Sequence, residues 1–391
     1  MSDHPTVYLD HAATTPMVDV AFEALTARLR VVGNASSLHG SGRDARRVVE
    51  ESRERIARAL GARPGEVVLT SGGTEADNLA VKGLFWCRRD QDPGRVRILA
   101  SAVEHHAVLD ALEWLAEREG AKVELIGVDA RGRLDVDELR ARIEADPGSV
   151  ALVSVMWANN EVGTVQPVDE VVAIASAHGI PVHSDAVQAV GAVPVDFGAS
   201  GLDALSLTAH KLGGPYGVGA LVVRRDLALV PLLHGGGQER QVRSGTLDVP
   251  AVAAFAAAVE HAVKEQADHA ARLSELRDDL VTRVLELVPD ARVNGDPERR
   301  LPGYAHLSFP GCEGDSLLML LDHQGIECST GSACSAGVPQ PSHVLLAMGR
   351  DEAEARSSLR FTLGRTTDPS DIDALVTAIG PAVERARAAN R

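Results

Sequence analysis

Two cysteines, Cys328 and Cys334, stand close together in the run CSTGSACSAG (328–337), in a chain that has only 4 cysteines among 391 residues. Small side chains and glycine offer no anchor to a core and leave the backbone free. A cysteine placed there is poorly suited to be a buried hydrophobe. Three roles remain for it: half of a disulfide, a metal ligand, or a reactive thiol on a mobile loop. Further upstream, chemistry-bearing residues recur at regular intervals. They are Gly73 and Thr74 in SGGTEADN, His105 and His106 in AVEHHAV, Asn159 and Asn160 in WANNEVG, Asp185 and Gln188 in SDAVQ, and His210 and Lys211 in AHKLGGP.

Each of these signals has a plain alternative when taken alone. A glycine-rich turn opening a helix with Thr74 and Glu75 presents free N–H groups to an anion, but a tight turn with an ordinary cap would look the same. The spacing is neither a P-loop nor a GxGxxG fingerprint. Adjacent histidines cannot ligate one metal in i, i+4 fashion, so a helix-start histidine is the simple reading there. Asparagine after a buried strand often just forms a turn. An acid after a buried apolar strand is different, because an isolated buried charge is costly and Asp185 needs a partner. A half-buried lysine has its ammonium form disfavoured and becomes a nucleophilic amine. Together they supply a phosphate cradle, a ring-stacking histidine, a buried acid and a Schiff-base lysine. That set fits pyridoxal 5'-phosphate, with Asp185 paired to the ring nitrogen so that the ring withdraws electrons from the substrate carbon.

The elements that must position these residues are legible as apolar runs at 66–70, 97–101, 123–128, 150–156, 180–184, 204–208 and 219–225, separated by helix-like stretches. Such alternation predicts a mostly parallel sheet covered by helices on both faces, whose ligands gather beyond the carboxyl ends of the strands. One long helical stretch is expected over 249–288. Shorter strands and helices follow, ending in a helix near 370–388. The expected fold class is therefore α/β, with a large domain over 16–261. A smaller α+β domain is expected from 1–15 and 262–391, carrying the cysteine loop at about 328–342.

Composition narrows the functional classes. A net charge of −16 argues against nucleic acid or an anionic membrane as the main partner, since both want clustered Lys and Arg. The arginines near 43–58 alternate with Glu, as on a solvated amphipathic helix. The N-terminus shows no signal-peptide pattern and no window reaches the ~18 apolar residues of a membrane span. A cytoplasmic location is the default expectation, and scattered cysteines in such a chain argue against a structural disulfide.

Taken in order, YLDHAATTP, NASSLHGSGR, TSGGTEADNLAVKG, EHHAVLD, NNEVGT, SDAVQAVG, AHKLGGPYGVGAL, HGGGQERQVRSGT, STGSACSAG and SSLRFTLGR resemble the group I (NifS/IscS-type) cysteine desulfurases of the class V aminotransferase family, in the PLP-dependent transferase fold type I. The resemblance covers nearly the whole chain, from residue 8 to 365. It implies that Lys211 binds the cofactor covalently and that His105 stacks on its ring. Asp185 would pair with the ring nitrogen and Gln188 with the phenolic oxygen. Gly73, Thr74, Thr208 and His210 would hold the phosphate. It also implies that Thr246 reaches the phosphate from a second subunit, hence a homodimer with shared sites. Asn34, Asn160 and Arg360 would hold the substrate carboxylate, a task that suits a guanidinium fork.

Cys334 is then the nucleophile. L-cysteine is the expected substrate, Lys211 removes its Cα proton, the Cys334 thiolate takes the sulfur as a persulfide, and alanine is released. An acceptor protein, such as an iron–sulfur scaffold, would receive the sulfur. Iron–sulfur cluster assembly, tRNA thiolation and DNA phosphorothioation all remain open as routes. Thr208 stands where the family often has serine, Trp157-Ala158 depart from its usual pattern, and Cys328 matches no required position and is expected to be inert. No metal is expected. An aminotransferase would need no reactive cysteine, a selenocysteine lyase is not distinguishable at this level, and an iron–sulfur carrier would want three or four clustered ligands.

Overall fold

The computed structural model describes residues 6–331 and 340–390. A seven-stranded sheet forms its centre. From one edge the order is Val67–Thr70, Gly219–Val223, Ala204–Thr208, Val182–Asp185, Val150–Ser154, Arg97–Ser101 and Lys122–Ile126. All neighbours run parallel except at Gly219–Val223, which is antiparallel to both strands beside it. Five of these strands are buried along their whole length without alternation, as expected when helices cover both faces.

The strands fall where the apolar runs placed them, with shifts at the ends. The run expected over 180–184 forms Val182–Asp185, so Asp185 is the last strand residue rather than the first of the loop. The single helix expected over 249–288 is two helices, Val249–Lys264 and Gln266–Leu287, interrupted at Glu265 (φ −89°, ψ 0°). The two halves have different partners. The first, alanine-rich and buried on nearly all sides, packs on Asp19–Thr26 and Gly40–Ala59; the second buries Leu273, Leu280 and Val284 and packs on the last helix, Pro369–Ala389.

A second sheet follows, with Arg292–Asn294 and Ser358–Thr362 antiparallel to Tyr304–Ser308 between them. A short strand at the start, Val7–Tyr8, pairs in parallel with Ile326–Glu327. Two large apolar clusters accompany these sheets. One gathers residues from Ala12 to Ala262 together with Leu301 and Tyr304, and the other gathers Val7 and Leu9 with residues from Leu273 to Ala386. The N-terminal segment joins them: Leu9 is buried in one, Ala12 in the other, and the Ala12 amide donates to Thr362 Oγ1 at 2.8 Å. Among the described residues no helix is long and apolar enough to cross a membrane, and no group of His, Cys, Asp or Glu could hold a metal ion. Cys87, Cys312 and Cys328 are free thiols.

Candidate active site

The carboxyl ends of the central strands open into a cavity of about 350 Å³. Of the residues singled out from the sequence, Gly73, Thr74, His105, Asn160, Asp185, Gln188, Thr208, His210, Lys211 and Arg360 all line it. Asn34 and Thr246 do not. Asn34 lines a separate surface hollow with Gln238, Glu239 and Leu247. Thr246 is next in the chain to Leu247 of that hollow and does not line the cavity. Cys334 lies outside the described residues, although Ser329 and Gly331 before it and His343 after it line the cavity wall.

Gly73 begins the helix Gly73–Gln91, and Gly72 before it provides no side-chain cap. The first-turn amides are thus left to a ligand, with the positive end of the helix behind them. The position is tight: a Cβ at Gly73 would stand 2.9 Å from Val187 Cγ2 and force that side chain to shift. His105 is both things the sequence allowed. It caps the helix His106–Glu119, its Nδ1 accepting from the Ala107 amide at 3.0 Å, and it also lines the cavity. Burial, aided by the nearby Lys211 charge, pushes its pKa down to about 4, so the ring is neutral.

Asp185 is 6% exposed and accepts from the Val187 amide at 2.8 Å. Burial, with a further push from Asp77, raises its pKa to about 8. Lys211 is driven the other way: burial first, then Arg360, lowers it to about 8. Its Nζ donates to the Ala13 carbonyl at 2.7 Å and to that of Ala12. His210 stacks on Tyr216, with centroids 5.5 Å apart, and its pKa is lowered to about 4 by burial. Gln188 is tied down by donating to Ala12 O at 2.9 Å and accepting from Tyr304 Oη at 2.6 Å.

The asparagines divide the labour. Asn159 builds the turn, its Oδ1 accepting from the amides of Glu161 and Val162, each at 2.9 Å. Asn160 lines the cavity, and its carbonyl accepts from Arg360 Nη1 at 2.7 Å. Arg360 Nη2 donates to Asp10 Oδ1 at 2.7 Å, while its Nε is buried without a partner among the described residues. Ala158, from the unusual Trp157-Ala158 pair, forms part of the wall. Cys328 is buried, and burial, followed by Asp10, pushes its thiol up to about 12. That environment holds it as an inert thiol.

These residues fit pyridoxal 5'-phosphate. The uncapped helix start with its glycine suits a phosphate, burial brings the Lys211 ammonium much closer to losing its proton than an exposed lysine, and Asp185 is a buried acid that lacks a close cation. A protonated ring nitrogen would supply that cation.

Sequence reasoning missed several supports. Asp77 and Glu104 stood inside the quoted runs SGGTEADN and AVEHHAV without being singled out, and Tyr304 and His343 carried no motif of their own. Asp10 stood in plain view within YLDHAATTP, the one signal that could have found it.

Comparison with known proteins places this arrangement. The class-V aminotransferase family model matches residues 7–375. The "IscS-like cysteine desulfurase" of Mycobacterium tuberculosis is 58% identical over 383 residues, covering 98% of this chain and 97% of that protein. Among solved structures, a "NifS-like protein" superposes with a TM-score of 0.90 at 35% identity, over 97% of this chain and 100% of the other. "SspA in complex with cysteine" superposes with a TM-score of 0.78 at 33% identity, over 92% of this chain and 99% of the other. The chain belongs to the class-V aminotransferase family, with the IscS- and NifS-like cysteine desulfurases as its relatives.

Proposed function

We propose that this protein is a pyridoxal 5'-phosphate-dependent cysteine desulfurase that converts L-cysteine to L-alanine and passes the sulfur on through a persulfide on Cys334. The observation that carries this reading is the meeting of Lys211 and Asp185 on adjacent strand ends in one cavity, with the chain flanking Cys334 on its wall. The relatives at high identity over the full length support the same reaction.

In this reading Gly73, Thr74, Thr208 and His210 hold the phosphate, with Thr246 contributed by the partner protomer. His105 would lie on the ring, Gln188 would meet the phenolic oxygen and Asp185 the ring nitrogen. The bound cofactor supplies an electron sink that makes the substrate's Cα–H acidic. Lys211, whose ammonium form is disfavoured, takes that proton. Arg360 and Asn160 fix the substrate carboxylate, and Asn34 is assigned to the same task only from the partner's side, since it stands away from this protomer's cavity. Cys334 as thiolate attacks the substrate sulfur. The S–Sγ bond forms as the Cβ–S bond breaks, and the three-carbon skeleton is reprotonated to alanine.

The homodimer that Thr246 requires is supported by exposed apolar side chains near the start of the chain. Phe22, Leu29, Val31, Val32 and Leu38 are each more than half exposed, an unusual density of apolar surface for a monomer. The sulfur acceptor is a protein in this reading, such as an iron–sulfur scaffold, because the net charge of −16 disfavours direct delivery to nucleic acid. The location is cytoplasmic in this reading.

The test is sulfide and alanine release from L-cysteine with dithiothreitol. Native protein should release both in equal amounts, and Cys334→Ala neither, while the cofactor's visible absorbance persists. A yellow protein that makes neither product in either form would instead support the aminotransferase branch of the family.

A further inference from the structure

Behind Asp185 the cavity floor holds more acid than cofactor binding alone requires. Asp77, on the helix Gly73–Gln91, lines the cavity and is 1% exposed, yet its Oδ1 has no hydrogen-bond partner among the described residues. His183 Nε2 stands 3.5 Å from that oxygen. His183 is itself fully buried in the strand that ends at Asp185. Its Nε2 lies 3.0 Å from Ser206 Oγ and its Nδ1 2.9 Å from Ser154 Oγ. Glu104, fully buried in the loop after Arg97–Ser101, lies close enough to Asp185 and Asp77 to feel both charges. One of its oxygens takes the Met156 amide and the other, Oε2, is also unpartnered.

Three carboxyl groups from three different elements thus crowd one buried region. The positive groups around it are few: Lys211 is distant enough to be a minor influence on Asp185, and His105 and His183 are neutral, each lowered to about 4 by burial. Like charges this close cannot all be ionised. When a cation sits against Asp185, Asp185 ionises first, and Asp77 and Glu104 take on charge only at higher pH.

We propose that Asp77 is a positioning residue of the cofactor's ring-nitrogen site, acting through the buried His183–Ser206 pair and Asp185 to hold the ring nitrogen's proton. This rests on the pyridoxal phosphate reading above. Burial raises Asp77 to about 7, only partly offset by the Ser206 hydroxyl. As pH rises past that point its ionisation adds a second negative charge behind the ring, which keeps the proton there in place. Asp77→Asn has the same shape and no such charge.

The experiment follows the visible absorbance of purified holoenzyme against pH, for native protein and Asp77→Asn, with cofactor content and circular dichroism measured on both. The expected result is equal cofactor content, with the absorbance midpoint of Asp77→Asn moved down by about one pH unit or more. In the assay, kcat should fall with KM for L-cysteine little changed. Asp77→Glu, which restores the charge, should return the midpoint toward the native value. A superimposable titration in Asp77→Asn, at equal cofactor content, overturns the proposal and leaves the functional reading intact. Native protein that takes up no pyridoxal phosphate overturns both.

Discussion

Arg360→Lys offers a direct test of how the substrate carboxylate is held. Arg360 is 5% exposed in the middle of Ser358–Thr362. Two of its N–H groups are committed within the protein, to Asn160 O and Asp10 Oδ1, both at 2.7 Å. The Nε edge is left over, and a planar carboxylate can take that edge. Lysine keeps the charge but is a point donor, and it cannot serve Asp10, the Asn160 carbonyl and a substrate together. Each lost hydrogen bond between charged groups is worth about 1.5–3 kcal/mol, so one such loss lowers kcat/KM by roughly 10- to 150-fold at 1.4 kcal/mol per tenfold. The assay is alanine formation, combined with inhibition by L-alanine and by ethylamine, which differ only in the carboxylate. Arg360→Lys should weaken inhibition by L-alanine and leave ethylamine unchanged. Equal weakening of both inhibitors, or a kcat/KM within about threefold of native, would refute the assignment, because a lost bond is expected to cost tenfold or more.

The other expectations follow from burial and packing. Asp185 titrates at about 8 when folded, against an ordinary 3.8, so the apoprotein holds a proton there that the unfolded chain releases. The associated stability is present below 3.8 and lost as pH rises through about 8; the melting temperature of Asp185→Asn apoprotein should fall less steeply across that window than that of native apoprotein, and the variant should bind the cofactor more weakly. Gly73→Ala brings a Cβ to 2.9 Å from Val187 Cγ2 at the phosphate cradle, so cofactor affinity measured by fluorescence or absorbance should drop while the apoprotein stays folded. Arg53→Met strips the fully buried Glu239 of both bonds to Arg53, each 2.8 Å long, leaving it the Leu69 amide among the described residues. Breaking a buried pair on one side costs about 3–5 kcal/mol, which chemical denaturation should show as a large fall in midpoint; a change within experimental error would contradict the burial of this pair.

Much of this protein was determined by sequence alone. The apolar runs are continuous because both faces of the sheet are covered, and that continuity fixed the strands 97–101 and 204–208 to the residue. Residues that follow a buried strand have no choice but to emerge at its carboxyl end, so the pattern of strands alone gathers the group from Gly73 to Lys211. Tertiary structure decided what depends on partners distant in the chain. The pattern over 249–288 is helical throughout, and only its packing against two different sets of helices interrupts it at Glu265. Asn34 carried the same motif-level support as Arg360, yet the fold sends it to a different surface. The acidity of Asp185, the partner of Gln188 and the isolation of Asp77 arise from burial against residues tens to hundreds of positions away. Local patterning encodes which face of an element is buried, whereas a charge responds to whatever dielectric and neighbours the completed fold assembles around it.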